Sequence, residues 1–421
     1  MRVSSRRRLI ENTGSLFILQ AANYLLPLII LPYLVRVLGP EKFGLLAFAQ
    51  AFMQFLVVFT DYGFDYTATR QIATQREDSE KVSEIFSTVM LIKLCFMLVS
   101  FLLMAGIIFA VPKLRVDWAL YFVAFLMVVG TALFPIWIFQ GMERMKYITV
   151  INVGAKTLAA VTIFVFVHSE ADYILAAGIQ AGGFVVAGVS GVWIAWRRFE
   201  VELTWPRTWS TLWTAIKEGG QVFTSVVAGT VIGQGGVLIT GLIAGPTSAG
   251  YLSIAQKVAD AASNLVKPVA QAFYPYLSRL FESDATQYRI IKHRILLLGV
   301  SLGTVMGILQ YTFCEIIAKL VSGITPQELI MLIKIFSVAM ALTMMNVLVH
   351  PIILSMKKYS EMQKMYAMIA TVYLLVSIPA TFLAGSIGMA LSIVFVCLIL
   401  LVTGMLIIKD KAAPKVEGEH R

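Results

Sequence analysis

Two stripes of polar side chains cross stretches of the sequence that are otherwise apolar. The first stripe consists of Gln50, Gln54, Asp61 and Asp65. The second stripe consists of Lys257, Asp260, Asn264, Lys267 and Gln271. The spacings are 4, 7 and 4 residues in the first and 3, 4, 3 and 4 in the second, so each stripe would follow one edge of an α-helix.

The chemistry that the second stripe favours is recognition of an anion. A lysine or aspartate at mid-bilayer costs roughly 2.5–3.5 kcal/mol unless it faces a wet cavity or a partner. In one interpretation both stripes line an aqueous, partly cationic cavity between the two halves of the chain. In the other, Lys257 and Asp260 form an internal ion pair one turn apart.

The carboxylates of the first stripe also have two interpretations. Asp61 and Asp65 lie near the end of their apolar run and either cap it at the membrane interface or take part in coupling to an ion. We add Asn23, Arg36 and Lys93 to the candidate cavity residues. For Arg36 and Lys93, near span ends, snorkelling to the interface is the default expectation, as it is for Lys156 and Lys334.

Sequence patterns of soluble enzymes are absent. The chain contains no HExxH, GxSxG, Walker A or CxxC motif, and we therefore predict no enzymatic activity, no metal and no cofactor. Cys95, Cys314 and Cys397 lie singly in apolar runs and are predicted to be small core residues.

The composition is that of a polytopic membrane protein. Hydrophobic residues make up 58% of the 421, charged residues 14%, and the mean hydropathy is +0.81. We predict an all-α fold with twelve spans at 15–38, 44–65, 86–110, 118–139, 148–168, 173–196, 218–244, 249–277, 294–318, 328–354, 365–384 and 386–408.

The positive charges orient these spans. With both termini in the cytoplasm, the inner segments hold 24 of the 34 Lys and Arg residues, and the outer segments hold five. This bias follows the positive-inside rule and accounts for the net charge of +10. Nucleic-acid binding is not expected, because no compact basic domain is present.

An internal repeat divides the chain. Shifting residues 39–65 by 206 positions gives six identities in a 12-residue window, beginning with Gly39–Pro40 on Gly245–Pro246. Each Gly-Pro pair predicts a junction between two helices. Six spans per repeat place both halves in the same orientation, with binding sites between them and transport by rocking of one half against the other.

The repeat sets the predicted domains. They are a cytoplasmic N-terminus (1–14), an N-lobe (15–196), a cytoplasmic linker (197–217), a C-lobe (218–408) and a cytoplasmic tail (409–421). Trp205, Trp209 and Trp213 predict an interfacial helix in the linker. Gly299, Gly303 and Gly307 share one helical face and predict a packing seam.

Four sequence blocks resemble a known family. They are Asn23–Gly44 (NYLLPLIILPYLVRVLGPEKFG), Asp61–Ala73 (DYGFDYTATRQIA), Pro135–Lys146 (PIWIFQGMERMK) and Gly245–Tyr251 (GPTSAGY). The chain resembles Wzx-type flippases, in the polysaccharide transporter branch of the multidrug/oligosaccharidyl-lipid/polysaccharide exporter superfamily.

The resemblance implies two six-helix lobes around a central cavity in the inner membrane. It implies an undecaprenyl-pyrophosphate-linked oligosaccharide, such as an O-antigen unit, moved from the cytoplasmic to the periplasmic leaflet. A polysaccharide polymerase and a chain-length regulator are possible partners. The cationic cavity of such flippases carries over to Lys257 and Lys267. The alternatives are a multidrug or cation antiporter of the same superfamily and a membrane polysaccharide polymerase.

Overall fold

The computed structural model describes residues 2–202, 204 and 209–409, and within them every regular element is a helix. The α-helices in chain order are α1 (Arg2–Asp61), α2 (Phe64–Gln75), α3 (Ser79–Ala110), α4 (Pro112–Arg115), α5 (Trp118–Ala124), α6 (Leu126–Leu133), α7 (Ile136–Gly141), α8 (Met145–Phe166), α9 (Tyr173–Phe199), α10 (Trp209–Ile243), α11 (Pro246–Asn264), α12 (Lys267–Ser283), α13 (Ala285–Thr312), α14 (Cys314–Ser322), α15 (Gln327–Ser355) and α16 (Tyr359–Lys409). A 3₁₀-helix, Glu170–Asp172, precedes α9.

These helices account for the predicted spans. Nine stretches of the described helices are long and apolar enough to cross a membrane. Two of the nine hold a pair of spans, because α1 is broken at Gly39 and α16 at Ala384–Gly385. The consecutive helices α11 and α12 cover the predicted eighth span. The described residues thus contain all twelve, and the prediction of an all-α polytopic membrane protein is confirmed.

The two Gly-Pro junctions adopt the same backbone conformation. Gly39 has φ 69° and ψ 168°, and Gly245 has φ 93° and ψ 174°. A positive φ with an extended ψ is essentially restricted to glycine. The proline that follows has no N–H to leave unsatisfied at the start of the next helix. The predicted helix junction is therefore confirmed in both copies of the repeat.

The chain separates into two compact units, Met1–Leu238 and Ile239–Arg421. In the first unit, one core cluster forms around Phe64, Ile72 and Trp137, each at most 1% exposed. The first unit extends through most of α10, whereas the lobe boundaries suggested by the repeat stay a prediction.

The second unit has its own core, where α13 and α15 pack closely. Gly299, Gly303 and Gly307 of α13 are buried against α15. A Cβ placed on Gly303 would lie 2.7 Å from the carbonyl oxygen of Ala341, so the two backbones approach more closely than any side chain permits. The predicted glycine seam is confirmed, and it allows van der Waals packing between helices in lipid.

The tryptophan-rich segment differs from expectation. Trp209 and Trp213 lie on the first turns of α10, which continues to Ile243 without a break. Trp205 lies outside the described residues. The prediction of a separate interfacial helix is wrong for Trp209 and Trp213, because the helix period that suggested it continues directly into the seventh span.

We predict that Gly303→Ala destabilises the protein. The new methyl group overpacks the seam, at a cost of about 1–3 kcal/mol. The measurement is the thermal unfolding midpoint of purified protein in detergent.

Gly106→Ala is the matched control for that substitution. Gly106 also lies within a helix, but its neighbourhood is open, since a Cβ there would meet no atom within 4 Å. Its unfolding midpoint should be unchanged or slightly raised, because alanine favours helix over glycine by about 0.5–1 kcal/mol. Equal midpoints for the two variants would contradict the seam.

Candidate functional site

A buried ion pair links α3 to the end of α1. The Lys93 ammonium lies 2.6 Å from a carboxylate oxygen of Asp61, and the two side chains are 1% and 19% exposed. The ammonium also donates to the Thr131 carbonyl at 3.4 Å and lies 4.5 Å from the centre of the Trp137 ring. The expectation that Lys93 snorkels to the interface is therefore wrong, because its charge is compensated inside the unit.

The backbone turns sharply between the two aspartates. Tyr62 and Gly63 have φ values of 47° and 83°, so α1 ends at Asp61 and α2 begins at Phe64. The prediction that Asp61 and Asp65 share one continuous helical edge is wrong. Oδ1 of Asp65 is buried and makes no hydrogen bond. Such groups are rare in native structures and call for an explanation.

The turn places both aspartates on one internal cavity of the first unit. The cavity has a volume of about 230 Å³, and its polar lining consists of Asn23, Asp61, Asp65, Lys93, Thr131, Asn152 and Lys156. Lys156 donates to the side-chain oxygen of Asn23 at 2.5 Å. Lys156 is half-buried and bonded to α1, so the expectation that it snorkels to the membrane interface is wrong.

The other candidates of the first half lie apart from this cavity. Gln50 donates to the side-chain oxygen of Gln180 at 2.6 Å, which joins α1 to α9. Gln54 is half-buried on α1, and Arg36 is exposed on the same helix before Gly39. Two residues of the first stripe therefore make separate contacts inside the unit, Gln50 with Gln180 of α9 and Asp61 with Lys93 of α3. Its role in substrate binding stays a prediction.

The second stripe crosses a break between two helices. Helix α11 ends at Asn264 and α12 begins at Lys267, so the prediction of one continuous helical edge is wrong here too. The amides of Leu265 and Val266 bond three residues back instead of four. The cause is Pro268, which has no N–H to donate to the carbonyl of Asn264.

A second proline removes the helical donor of another carbonyl in the stripe. Pro275 lies inside α12 and has no N–H for the carbonyl of Gln271, four residues before it. Two residues of the stripe, Asn264 and Gln271, thus present carbonyls without their usual helical donor as well as polar side chains. In a membrane span, such groups require water, protein or a ligand as donor.

The stripe lies on the outer side of its helices within the second unit. Asp260, Lys267 and Gln271 are exposed, and Lys257 and Asn264 are half-buried. The opposite side of α12 packs into the core of this unit through Val266, Ala270 and Leu277.

The charges of the stripe interact as a group of three. Asp260 interacts electrostatically with Lys267 and, less strongly, with Lys257. The alternative of an ion pair between Lys257 and Asp260 stays a prediction. Two cations flank one anion on an exposed polar edge, and this arrangement can bind an anionic ligand.

Sequence reasoning missed several cavity residues. Lys156 and Asn152 of α8 and Thr131 of α6 were not among the candidates. Polar residues in the middle of apolar spans were the available signal, since such residues generally face the protein interior. The hydrogen-bond partners of Thr131 and Lys156 are 38 and 133 positions away, which no local spacing reveals.

The described fold, with helices at all twelve predicted spans and polar residues held inside them, is that of a polytopic membrane protein. Among solved structures, the chain is similar to the lipid II flippase MurJ in its inward closed conformation, with a TM-score of 0.71, 13% identity and coverage of 94% of this chain and 87% of that one. An inward-facing multidrug resistance MATE family transporter of the MOP superfamily gives a TM-score of 0.61 at 12% identity, with 93% and 99% covered.

The sequence itself matches the family described as "Polysaccharide biosynthesis protein" over residues 9–281. The chain belongs to this family. It is 29% identical over 388 residues to an Escherichia coli (strain K12) protein named "Putative O-antigen transporter", with 91% of this chain and 92% of that protein covered. The resemblance to Wzx-type flippases is confirmed at the level of family and fold, and the relatives' transporter names agree with a protein that is not an enzyme.

We predict that Lys93→Met lowers protein abundance and the thermal unfolding midpoint. Removing one partner of a buried ion pair costs about 3–5 kcal/mol, because the remaining charge stays buried. The double variant Lys93→Met with Asp61→Asn removes both charges and should recover much of the loss. The measurements are protein level by immunoblot and the unfolding midpoint in detergent.

An exposed pair of similar geometry provides the control. Lys357 and Glu282 lie 2.7 Å apart, but their side chains are 66% and 63% exposed. Because exposed pairs contribute little, Lys357→Met should leave both readouts unchanged. If Lys93→Met behaves like Lys357→Met, the buried pair does not stabilise the fold.

Proposed function

We propose that this protein is a flippase for an undecaprenyl-pyrophosphate-linked oligosaccharide, such as an O-antigen repeat unit. It moves the lipid-linked glycan from the cytoplasmic to the periplasmic leaflet of the inner membrane by alternating access. Both termini lie in the cytoplasm in this arrangement, as the placement of Lys and Arg indicates. A polysaccharide polymerase and a chain-length regulator would act on the product.

The observation that carries this proposal is the polar edge of α11 and α12. It combines exposed Lys267 and Gln271 with carbonyls that Pro268 and Pro275 have deprived of helical donors. Ammonium groups attract pyrophosphate, whereas carbonyls that lack their helical donor accept from sugar hydroxyls and amide side chains both accept from and donate to them. A lipid-linked glycan carries both kinds of group.

The relatives support the same function. The family description concerns polysaccharide biosynthesis, and the E. coli relative is named for O-antigen transport. The similarity to the lipid II flippase and to the multidrug transporter supports the fold, and it leaves both kinds of transport open.

A cation antiporter is the second candidate, and one observation favours it. Asp61 and Asp65 line one cavity, as expected for coupling to a cation. Lys93 and Lys156 line the same cavity and offset that negative charge, which favours the flippase. Robust dye efflux by cells that make this protein would support the antiporter.

We predict that the Lys267→Ala variant is made at normal levels but that cells with this variant display much less surface glycan. The loss removes a cation for the pyrophosphate, while Lys257 still neutralises Asp260. Lys267→Arg keeps the charge and should retain most of the glycan. The measurement is surface glycan in cells whose own flippase is deleted, with protein level determined in parallel; full activity of Lys267→Ala would contradict the role of this residue.

A thiol scan tests whether the same edge is hydrated. Cys95, Cys314 and Cys397 are free and would first be replaced. Single cysteines at Lys267 and Gln271 should react with a charged, membrane-impermeant reagent in inside-out vesicles. A cysteine at buried Ala270 is the control and should not react. Equal labelling of all three, or none, would remove the support for a hydrated surface.

We predict that Asp65→Asn retains most transport. A pyrophosphate with about two negative charges gains roughly 5 kcal/mol per 100 mV on leaving a cytoplasm that is negative inside, so the membrane potential can drive export. Oδ1 of Asp65 makes no hydrogen bond, so replacing the carboxylate by an amide breaks none at this atom. The measurement is again surface glycan normalised to protein level.

Asp61→Asn is the control for the Asp65 variant. This substitution leaves Lys93 buried without its carboxylate, so we expect lower abundance in place of a specific transport defect. Abolished transport by Asp65→Asn at normal abundance would contradict export driven by the potential alone and indicate coupling of transport to an ion through Asp65.

A further inference from the structure

An apolar groove opens on the first unit at the end of α9. Its volume is about 730 Å³, and its apolar lining consists of Phe86, Leu133, Val189, Val192, Trp193 and Trp196. Val189, Trp193 and Trp196 are 55%, 57% and 58% exposed, so the groove is open along α9. From Val189 to Trp196 it extends about 10 Å along the helix axis, which suits an extended hydrocarbon chain.

Hydrogen bonds to α3 fix the wall of this groove. Val201 and Glu202 form the wall after α9 has ended. The amide of Glu202 donates to the Ser83 hydroxyl at 3.1 Å, and its carbonyl accepts from the Ser87 hydroxyl at 3.3 Å. The amide of Thr204 donates to the same Ser87 oxygen at 2.8 Å. The wall is thus held in place without a ligand, and the groove is preformed.

Charges of both signs lie at the end of the groove. The Arg197 guanidinium stacks on the Trp196 ring at 5.1 Å, and this contact holds the cation beside the apolar lining. Glu202 lines the groove itself, and its side chain is exposed while its backbone is bonded to α3. Guanidinium groups bind phosphate, and carboxylates accept hydrogen bonds from ammonium groups. Tryptophan side chains are typical of the membrane interface, where lipid headgroups lie.

We infer that this groove binds one membrane phospholipid with a phosphoethanolamine headgroup. One acyl chain lies along Val189 and Trp193, the phosphate pairs with Arg197, and the primary ammonium donates to Glu202. Phosphatidylglycerol lacks the ammonium, and phosphatidylcholine has no N–H on its ammonium. The site is independent of the edge that carries Lys267 and of the transported glycan.

Native mass spectrometry of the purified full-length protein tests this site. Phosphatidylethanolamine, phosphatidylglycerol and phosphatidylcholine of identical chains would be titrated separately. We expect phosphatidylethanolamine to bind the wild type about tenfold more tightly than the other two, as one charge-assisted hydrogen bond allows. Glu202→Gln should remove this preference, and Arg197→Gln should weaken all three lipids about tenfold.

Filling the groove is the second test. Val189→Trp places a large ring at an exposed position, where it is compatible with folding. This variant should no longer bind phosphatidylethanolamine in the same mass-spectrometric titration. Val161→Trp and Arg115→Gln are matched controls elsewhere on the first unit and should change nothing, since Val161 is equally exposed at 55%. Unchanged phosphatidylethanolamine binding by Val189→Trp would overturn the site. Equal affinity of the wild type for the three lipids would overturn the headgroup assignment.

Discussion

The structure depends on one constraint, which is that a backbone carbonyl inside a membrane span must have a donor. Proline removes the donor for the carbonyl four residues before it. Pro135 does so for Thr131, and that carbonyl accepts instead from the amide of Phe134 at 3.2 Å and from the buried ammonium of Lys93 at 3.4 Å. The break between α6 and α7 thus leaves a carbonyl that can accept a second hydrogen bond, from Lys93. Asp61, at the end of α1, completes the arrangement by neutralising the lysine.

The turn after Asp61 also determines how α10 packs. A Cβ on Gly63 would lie 2.9 Å from the Gly219 carbonyl oxygen, so this glycine gives both the left-handed φ and the space for α10. The Tyr62 ring stacks on Phe223 of α10 at 4.6 Å. The start of α10 is thereby fixed to the first unit. Trp209 and Trp213 belong to this same helix, so their helical spacing did not indicate a separate interfacial helix.

The features predicted from the sequence were those with a local signal. Apolar length gave the spans, the Gly-Pro pairs at Gly39 and Gly245 gave the junctions, and a spacing of four gave the seam around Gly303. The unpredicted features were those that needed a partner far along the chain. Spacing assumes a regular helix, so it could not place the turn before Asp65 or reveal that Lys93 is compensated inside the unit.

The two copies of the repeat use equivalent positions differently. Asp61 and Lys267 correspond under the 206-residue shift. Asp61 neutralises a buried lysine and holds its unit together, whereas Lys267 is exposed beside a helix break that Pro268 creates. A charge required for packing is not free to vary with the substrate, but an exposed one is. Under the proposed function, recognition of different glycans would therefore fall to the second copy, while the charge of the first contributes to packing.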